Sequence, residues 1–157
     1  MPQAGFFFSI VSAGVSLAGF SGLVAAFRRG VPLKALDTYR LRQIPEMALA
    51  AGFLALATFA LADTTGRASL TIQVAAGAGL LFTLTHAILL TQRARSMKLR
   101  ISATNTVVAT VIDLAVITAA VVALVQPTVG AYEWLLALMI TRPGLAFMLA
   151  ISDVAAG

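Results

Sequence analysis

Two charged side chains lie inside apolar stretches of this sequence, where a charge needs a specific reason to be present. Asp113 stands near the middle of TVVATVIDLAVITAAVV, residues 106–122, and Arg142 interrupts the apolar run from 131 to 151. A carboxylate at the centre of a bilayer costs about 2.5–3.5 kcal/mol, so it is expected to face protein or water and to have a partner. Asp113 is therefore a candidate for an ion pair, for the end of an ion pathway, or for catalysis.

The sequence between the two charges favours an ion pair. The short segment PTVG, residues 127–130, predicts a tight turn, so the apolar stretches on either side should lie antiparallel and adjacent. At a rise of about 1.5 Å per residue, the depths of Asp113 and Arg142, measured from the centre of the turn, differ by only about 3 Å. Their side chains can bridge that difference, so the sequence predicts a structural Asp113–Arg142 pair.

A polar face leads to Asp113 from one side only, which favours the alternative of an ion pathway. At about 100° per residue, Ser102, Thr106 and Thr110 fall on the same helix face as Asp113, and beyond it the face continues apolar. This pattern is typical of a half-channel that ends at a proton- or cation-binding carboxylate. It is also typical of hydroxyl groups that bond the carbonyl one turn earlier in their own helix. The sequence leaves both interpretations open.

Two further titratable residues, His86 and Glu46, are predicted at a similar depth, near the membrane surface that carries most of the basic residues. His86 shares a helix face with Ala75 and Gly79, so it should be packed and hydrogen-bonded between helices. As the only histidine it cannot supply a multi-histidine metal site. Glu46 follows Pro45, which suits the first turn of a helix, and a carboxylate there would complement the positive end of the helix dipole. A contact between Glu46 and His86 is the alternative.

Catalysis finds little support in the sequence. There is no second carboxylate at the depth of Asp113, no HExxH motif, no glycine-rich phosphate loop and no serine in a recognisable hydrolase motif. The chain contains no cysteine, which excludes disulfides, thiol catalysis and thiolate metal sites. We therefore expect a protein that is not an enzyme and that needs neither a metal nor an organic cofactor.

Composition indicates a membrane protein. Of the 157 residues, 60% are hydrophobic and 11% charged, and the mean hydropathy is +0.96, which is unusual for a soluble domain. Separate segments cross a membrane only as helices, so the sequence predicts a single all-α integral membrane bundle. Four transmembrane helices are clear, and a fifth is expected to be kinked or broken at Pro143 and Gly144. The predicted spans are 6–27, 44–62, 69–91, 103–126 and 131–151, with Tyr132 and Trp134 as anchors at the membrane surface.

Basic residues set the predicted orientation. Nine of the eleven Lys and Arg residues fall in the first and third connections, which lie on the same side of the membrane. By the positive-inside rule that side is the cytoplasm, with the N-terminus outside, and the membrane is the cell (inner or plasma) membrane. The formal charge of +5 thus reflects the orientation of the chain in the membrane, and no nucleic-acid partner is expected. The basic residues of the first connection are expected to contact anionic lipid headgroups: Arg28, Arg29, Lys34, Arg40 and Arg42.

Rows of small residues predict close helix packing. Gly14, Ala18 and Gly22 recur at four-residue intervals in the first helix, as do Ala75 and Gly79 in the third. Such rows let backbones approach closely, within one chain or between chains. Because five helices enclose little interior, a homo-oligomer or other membrane subunits are expected partners. The sequence favours a role in helix–helix assembly, with a small oligomeric ion or proton channel or transporter as the alternative.

Two segments carry a resemblance to known proteins. SLAGFSGLVAAFRRG and LDTYRLRQIPEMALAAGFLAL resemble a loose group of small uncharacterised bacterial multi-pass membrane proteins. These share a Gly-Phe-Ser/Ala-Gly-Leu first helix and an Arg-Leu-Arg run before the second. The resemblance covers the first two predicted helices, implies no particular activity and assigns a role to no residue.

Overall fold

The computed structural model describes residues 4–27, 35–99, 101 and 103–155, and these residues form five α-helices. Within α1 to α4 lie four stretches long and apolar enough to cross a membrane. The fold prediction is confirmed: across the described ranges the chain is an all-α bundle of multi-pass membrane type. The helices are α1 (Ala4–Phe27), α2 (Ala35–Thr65), α3 (Ala68–Ser96), α4 (Ala103–Val125) and α5 (Val129–Ala155).

The second helix begins earlier than the sequence predicts, at Ala35 instead of residue 44, and runs on through Pro45. The residues before the proline are mostly good helix formers, and Leu41 and Ile44 bury their side chains in the bundle. This burial helps to offset the hydrogen bond that a proline removes inside a helix. Glu46 therefore lies well inside α2, and the prediction that its carboxylate complements the start of the helix is wrong.

The fifth helix is continuous, although it contains Pro143 and Gly144. Its 27 residues extend for about 40 Å, which is enough to cross the hydrocarbon core of a bilayer. Among the described residues, α5 packs against each of the other four helices, and the side chain of Pro143 is fully buried. The segment predicted to be weakest thus contacts all the other described helices, and the alternative of a helix broken at Pro143 and Gly144 is wrong.

Helices that follow one another along the chain run antiparallel. The first turns of α2 and α4 and the last turns of α3 and α5 line one cavity, so these four ends lie together. We call this the basic end, because Arg40, Arg95 and Lys98 lie there. The helices α2, α3, α4 and α5 form a ring in which each packs against the next and α5 closes against α2. Helix α1 lies outside the ring, against α2 and α5.

Away from the basic end, apolar side chains fill the ring. The α5 residues Leu135, Leu136 and Met139 are at most 2% exposed and belong to one cluster with Ala76 and Ala120 from α3 and α4. The small residues let the helices approach closely around the large side chains of α5. A cavity of about 240 Å³ in this half lies between α1 and α5, against Phe6 and Trp134, and is smaller than the one at the basic end.

Tyr132 belongs to this core. Its hydroxyl lies 2.7 Å from the hydroxyl of Thr58 and 3.2 Å from the carbonyl oxygen of Leu54, and its ring stacks on Phe7. Because α2 supplies polar partners, the whole side chain can be buried. The prediction that Tyr132 anchors the chain at the membrane surface is therefore wrong, whereas Trp134 is 69% exposed on the outside of α5.

The small residues of α1 pack only in part. A Cβ atom at Gly14 would collide with the carbonyl oxygen of Ala48, so α1 and α2 are in backbone contact there. Gly22 is exposed, and a Cβ atom built there meets no atom of another helix within 4 Å among the described residues, whereas Ala18 is half-buried. Residues four apart advance by about 40° around a helix, so a row at this spacing drifts off a straight contact face. The expected role of Gly22 in packing within the chain is therefore wrong.

The small residues of α3 face the bundle interior. Ala75 is buried, and a Cβ atom at Gly79 would lie 3.6 Å from the side chain of Leu135. The hydroxyl of Thr83 donates to the Gly79 carbonyl at 2.8 Å, so this polar side chain is satisfied within its own helix. This face of α3 therefore packs against α5 in one chain.

Candidate functional site

Asp113 of α4 and Arg142 of α5 form a hydrogen-bonded ion pair. The two side chains are 16% and 12% exposed, respectively. Residues 126–128 connect the antiparallel helices, so residues at similar distances from this connection meet. The carboxylate in the middle of the apolar stretch thus has a cationic partner, and the pair ties α4 to α5.

The pair lies at the inner end of a cavity of about 380 Å³ at the basic end. All four helices of the ring contribute to its wall. Asp113 and Arg142 are the lining residues of α4 and α5 farthest from the basic end. Along α4 the lining runs from Asn105 to Asp113, a depth of about 12 Å. The cavity is therefore a vestibule whose floor is the ion pair.

The polar face of α4 lines this vestibule. Thr106 and Thr110 both belong to its wall, whereas Ser102 lies outside the described residues. The Thr110 hydroxyl donates to the carbonyl oxygen of Thr106 at 2.8 Å. Thr118, farther along α4 and outside the vestibule, makes the same bond to Leu114 at 2.8 Å. Thr110 therefore fits both interpretations that the sequence left open: its hydroxyl bonds its own helix, and the residue lines the vestibule.

Glu46 forms a second charged centre, between α2 and α3. Its carboxylate accepts hydrogen bonds from Arg93 at 2.9 and 3.2 Å and from Arg42 at 3.1 Å. His86 Nδ1 lies 3.9 Å from the same carboxylate. The alternative neighbour His86 is therefore close to Glu46, and the closest contact is with Arg93. This centre ties α2 to α3 as the Asp113–Arg142 pair ties α4 to α5.

The role of Arg93 was missed because the sequence predicts that the third helix ends at residue 91, which puts Arg93 in a basic loop. The helix extends to Ser96, so Arg93 is helical. Residues seven apart lie within about 20° of each other on a helix, so Arg93 shares the face of His86. The seven-residue spacing from His86 would have predicted the contact of Arg93 with Glu46 if the third helix had been expected to continue past residue 91.

His86 is packed but only partly satisfied. The side chain is 5% exposed, and its ring stacks on Phe82 with 5.3 Å between centroids. Its Nε2 atom has no hydrogen-bond partner among the described residues. The expectation of a packed histidine agrees with this placement, whereas a fully hydrogen-bonded one does not.

The basic residues expected at the lipid surface have different surroundings. Arg28, Arg29 and Lys34 lie outside the described residues. Arg40 is 8% exposed and lines the vestibule, and the largely exposed Arg42 is paired with Glu46. Arg40 is thus largely buried within the protein.

No group of three or more His, Cys, Asp and Glu side chains is placed to hold a metal ion within the described ranges. The chain matches no family model, no curated protein and no solved structure. Its function must therefore be inferred from its own residues, which form two charged centres, one vestibule and an outer helix.

Proposed function

We propose that this protein is a non-enzymatic multi-pass membrane protein that acts through helix–helix assembly, either as an oligomer or as a subunit or anchor of a larger membrane complex. The observation that carries the proposal is on the outward face of α1, where a row of small residues lies between the exposed Phe8 and Phe20 and ahead of the exposed Leu23. The residues of this row lie within about 80° around the helix and are all exposed: Gly5, Ser9, Ser12, Ser16 and Gly19.

Small residues on an outward face favour contact with another helix over contact with lipid. Lipid chains give helices no hydrophobic drive to associate, so close backbone approach and hydroxyl groups supply the attraction. Large side chains are exposed on α1 as well as on α3 and α4, such as Val15, Leu81 and Val107. From Gly5 to Gly19, however, those of α1 lie outside the row of small residues. No other part of the described chain lies within 4 Å of a Cβ atom built at Gly5 or Gly19. The proposed partner helix therefore belongs to another chain.

In this role the Asp113–Arg142 pair is structural. It holds α4 against α5, the helix that contacts all the others among the described residues. The carboxylate of Asp113 is then paired with the guanidinium group of Arg142. The proposed orientation places the basic end in the cytoplasm and the bundle in the cell membrane. The distribution of Lys and Arg along the sequence supports that orientation.

Cross-linking tests the assembly role. The chain has no cysteine, so Ser16→Cys introduces a unique attachment point for a photo-activated probe. We expect it to cross-link in membranes to a second copy or to another protein. Val111→Cys, on the exposed face of α4, is the matched control and should react mainly with lipid. Equal cross-linking from the two positions would contradict the proposal.

A second candidate function, ion or proton conduction, is favoured by the vestibule that ends at Asp113. If this is a half-channel, Thr110→Val should slow flux because it removes a hydroxyl from the wall. Thr118→Val removes the same kind of backbone-bonded hydroxyl outside the vestibule and should leave flux unchanged. Equal flux in the two variants would count against conduction through this cavity.

A further inference from the structure

The vestibule carries more positive than negative side chains. Among its described lining residues, Asp113 is bound to Arg142, and Arg95 and Lys98 are two further basic side chains. Two helices begin and two end at this opening, so their dipoles largely offset and the side chains set the preference. Arg95 and Lys98 are exposed at the outer rim. The opening therefore favours an anionic group.

Below the rim the wall is mainly apolar. Leu90 of α3, Ile112 of α4 and Leu145 of α5 line the cavity between the basic rim and the ion pair. The volume of about 380 Å³ falls in the range of small-molecule sites, which combine an apolar wall with a few polar groups. A purely ionic ligand would leave this apolar surface unused.

We propose that the vestibule binds an anionic amphiphile. Arg95 and Lys98 hold its phosphate or carboxylate group, and its alkyl chain lies against Leu90, Ile112 and Leu145. Binding at this site does not depend on assembly through α1, because the vestibule is built within one chain. An anionic membrane lipid and a soluble alkyl phosphate share this chemistry.

Calorimetric titration of the full-length protein in a neutral maltoside detergent tests the proposal. Dodecyl phosphate should bind, whereas dodecyltrimethylammonium, which has the same chain and the opposite charge, should not. The Arg95→Gln/Lys98→Gln variant should bind dodecyl phosphate about 30-fold more weakly, from the usual contribution of two basic residues to an anionic headgroup. Arg67→Gln, at the exposed opposite end of the bundle, is the matched control and should bind like wild type.

A second variant tests the contact between the alkyl chain and the apolar wall of the vestibule. Ala109→Phe fills the cavity wall next to Ile112, so it should abolish binding of dodecyl phosphate in protein that is folded by circular dichroism. Equal binding of the two amphiphiles to wild type would overturn the proposal. Wild-type affinity in the Arg95→Gln/Lys98→Gln variant or in folded Ala109→Phe would overturn it as well.

The source of the ligand is distinguished by competition. In phosphatidylcholine nanodiscs, displacement of bound dodecyl phosphate by added phosphatidylglycerol identifies an anionic lipid as the occupant. Retention of dodecyl phosphate under the same conditions identifies a soluble amphiphile. Binding of inorganic phosphate as tight as that of dodecyl phosphate would refute a role for the apolar wall.

Discussion

Reversal of either charge in the Asp113–Arg142 pair should destabilise the bundle, and reversal of both should restore most of the loss. Asp113→Arg places two guanidinium groups at the floor of the vestibule, and Arg142→Asp places two carboxylates there. The double variant rebuilds a pair of opposite charges at the same contact between α4 and α5.

The magnitude follows from the surroundings of the pair. The side chains of Asp113 and Arg142 are 16% and 12% exposed, so water screens them only in part. Loss of one partner of a buried pair costs about 3–5 kcal/mol in soluble proteins. Polar contacts between helices in a membrane protein average about 0.6 kcal/mol and reach about 1.7 kcal/mol. Because the vestibule gives water access to the pair, we expect each single reversal to cost about 2–4 kcal/mol and the double variant about 1–2 kcal/mol.

Unfolding in mixed micelles with a rising fraction of dodecyl sulfate, followed by circular dichroism, measures these free energies. Asp63→Arg is the control, because Asp63 is exposed at the opposite end and its reversal should change the free energy of unfolding by less than about 0.5 kcal/mol. If the double variant loses as much stability as the two single variants together, the residues are energetically independent and the structural pair is refuted.

Three further predictions concern the rest of the bundle. Gly14→Ala should weaken folding by about 1–3 kcal/mol, because its Cβ atom meets the Ala48 carbonyl, whereas Gly19→Ala should be neutral in unfolding measurements on monomeric protein in detergent micelles. Tyr132→Phe should cost about 1 kcal/mol in the same assay, because it removes the hydroxyl that bonds to α2. Glu46→Gln should cost about 1 kcal/mol, since a carboxylate that is 31% exposed is partly screened by solvent, and the loss should shrink at high salt. A salt-independent loss would contradict an ionic role for Glu46.

The membrane bundle and the ion pair are the features that sequence reasoning reached. Hydropathy reports directly on the ability of a helix to cross a membrane. The meeting of Asp113 and Arg142 follows from simple counting, because a short turn fixes the register of the two helices around it. Both inferences rest on local quantities, namely composition and distance along the chain.

The features that sequence reasoning missed depend on contacts between distant segments. Pro45 is a good local signal for a helix start, but burial of the preceding turns in the bundle overrides it. The sequence predicts that Tyr132 is an anchor at the membrane surface, because it does not reveal that Thr58 supplies a hydrogen-bond partner in the core. Arg93 reaches Glu46 only because the third helix is longer than its apolar part. Such contacts are set by tertiary packing, which no local pattern in one sequence contains.

Ion flux in liposomes decides whether Asp113 is a structural residue or the end of a pathway. Wild type and Asp113→Asn should be reconstituted in equal amounts of folded protein and compared with empty liposomes for the movement of protons and common ions. A structural pair predicts that neither protein carries flux above that of empty liposomes. Proton or ion flux through wild type that is lost in Asp113→Asn would contradict this account and establish Asp113 as part of a conduction pathway.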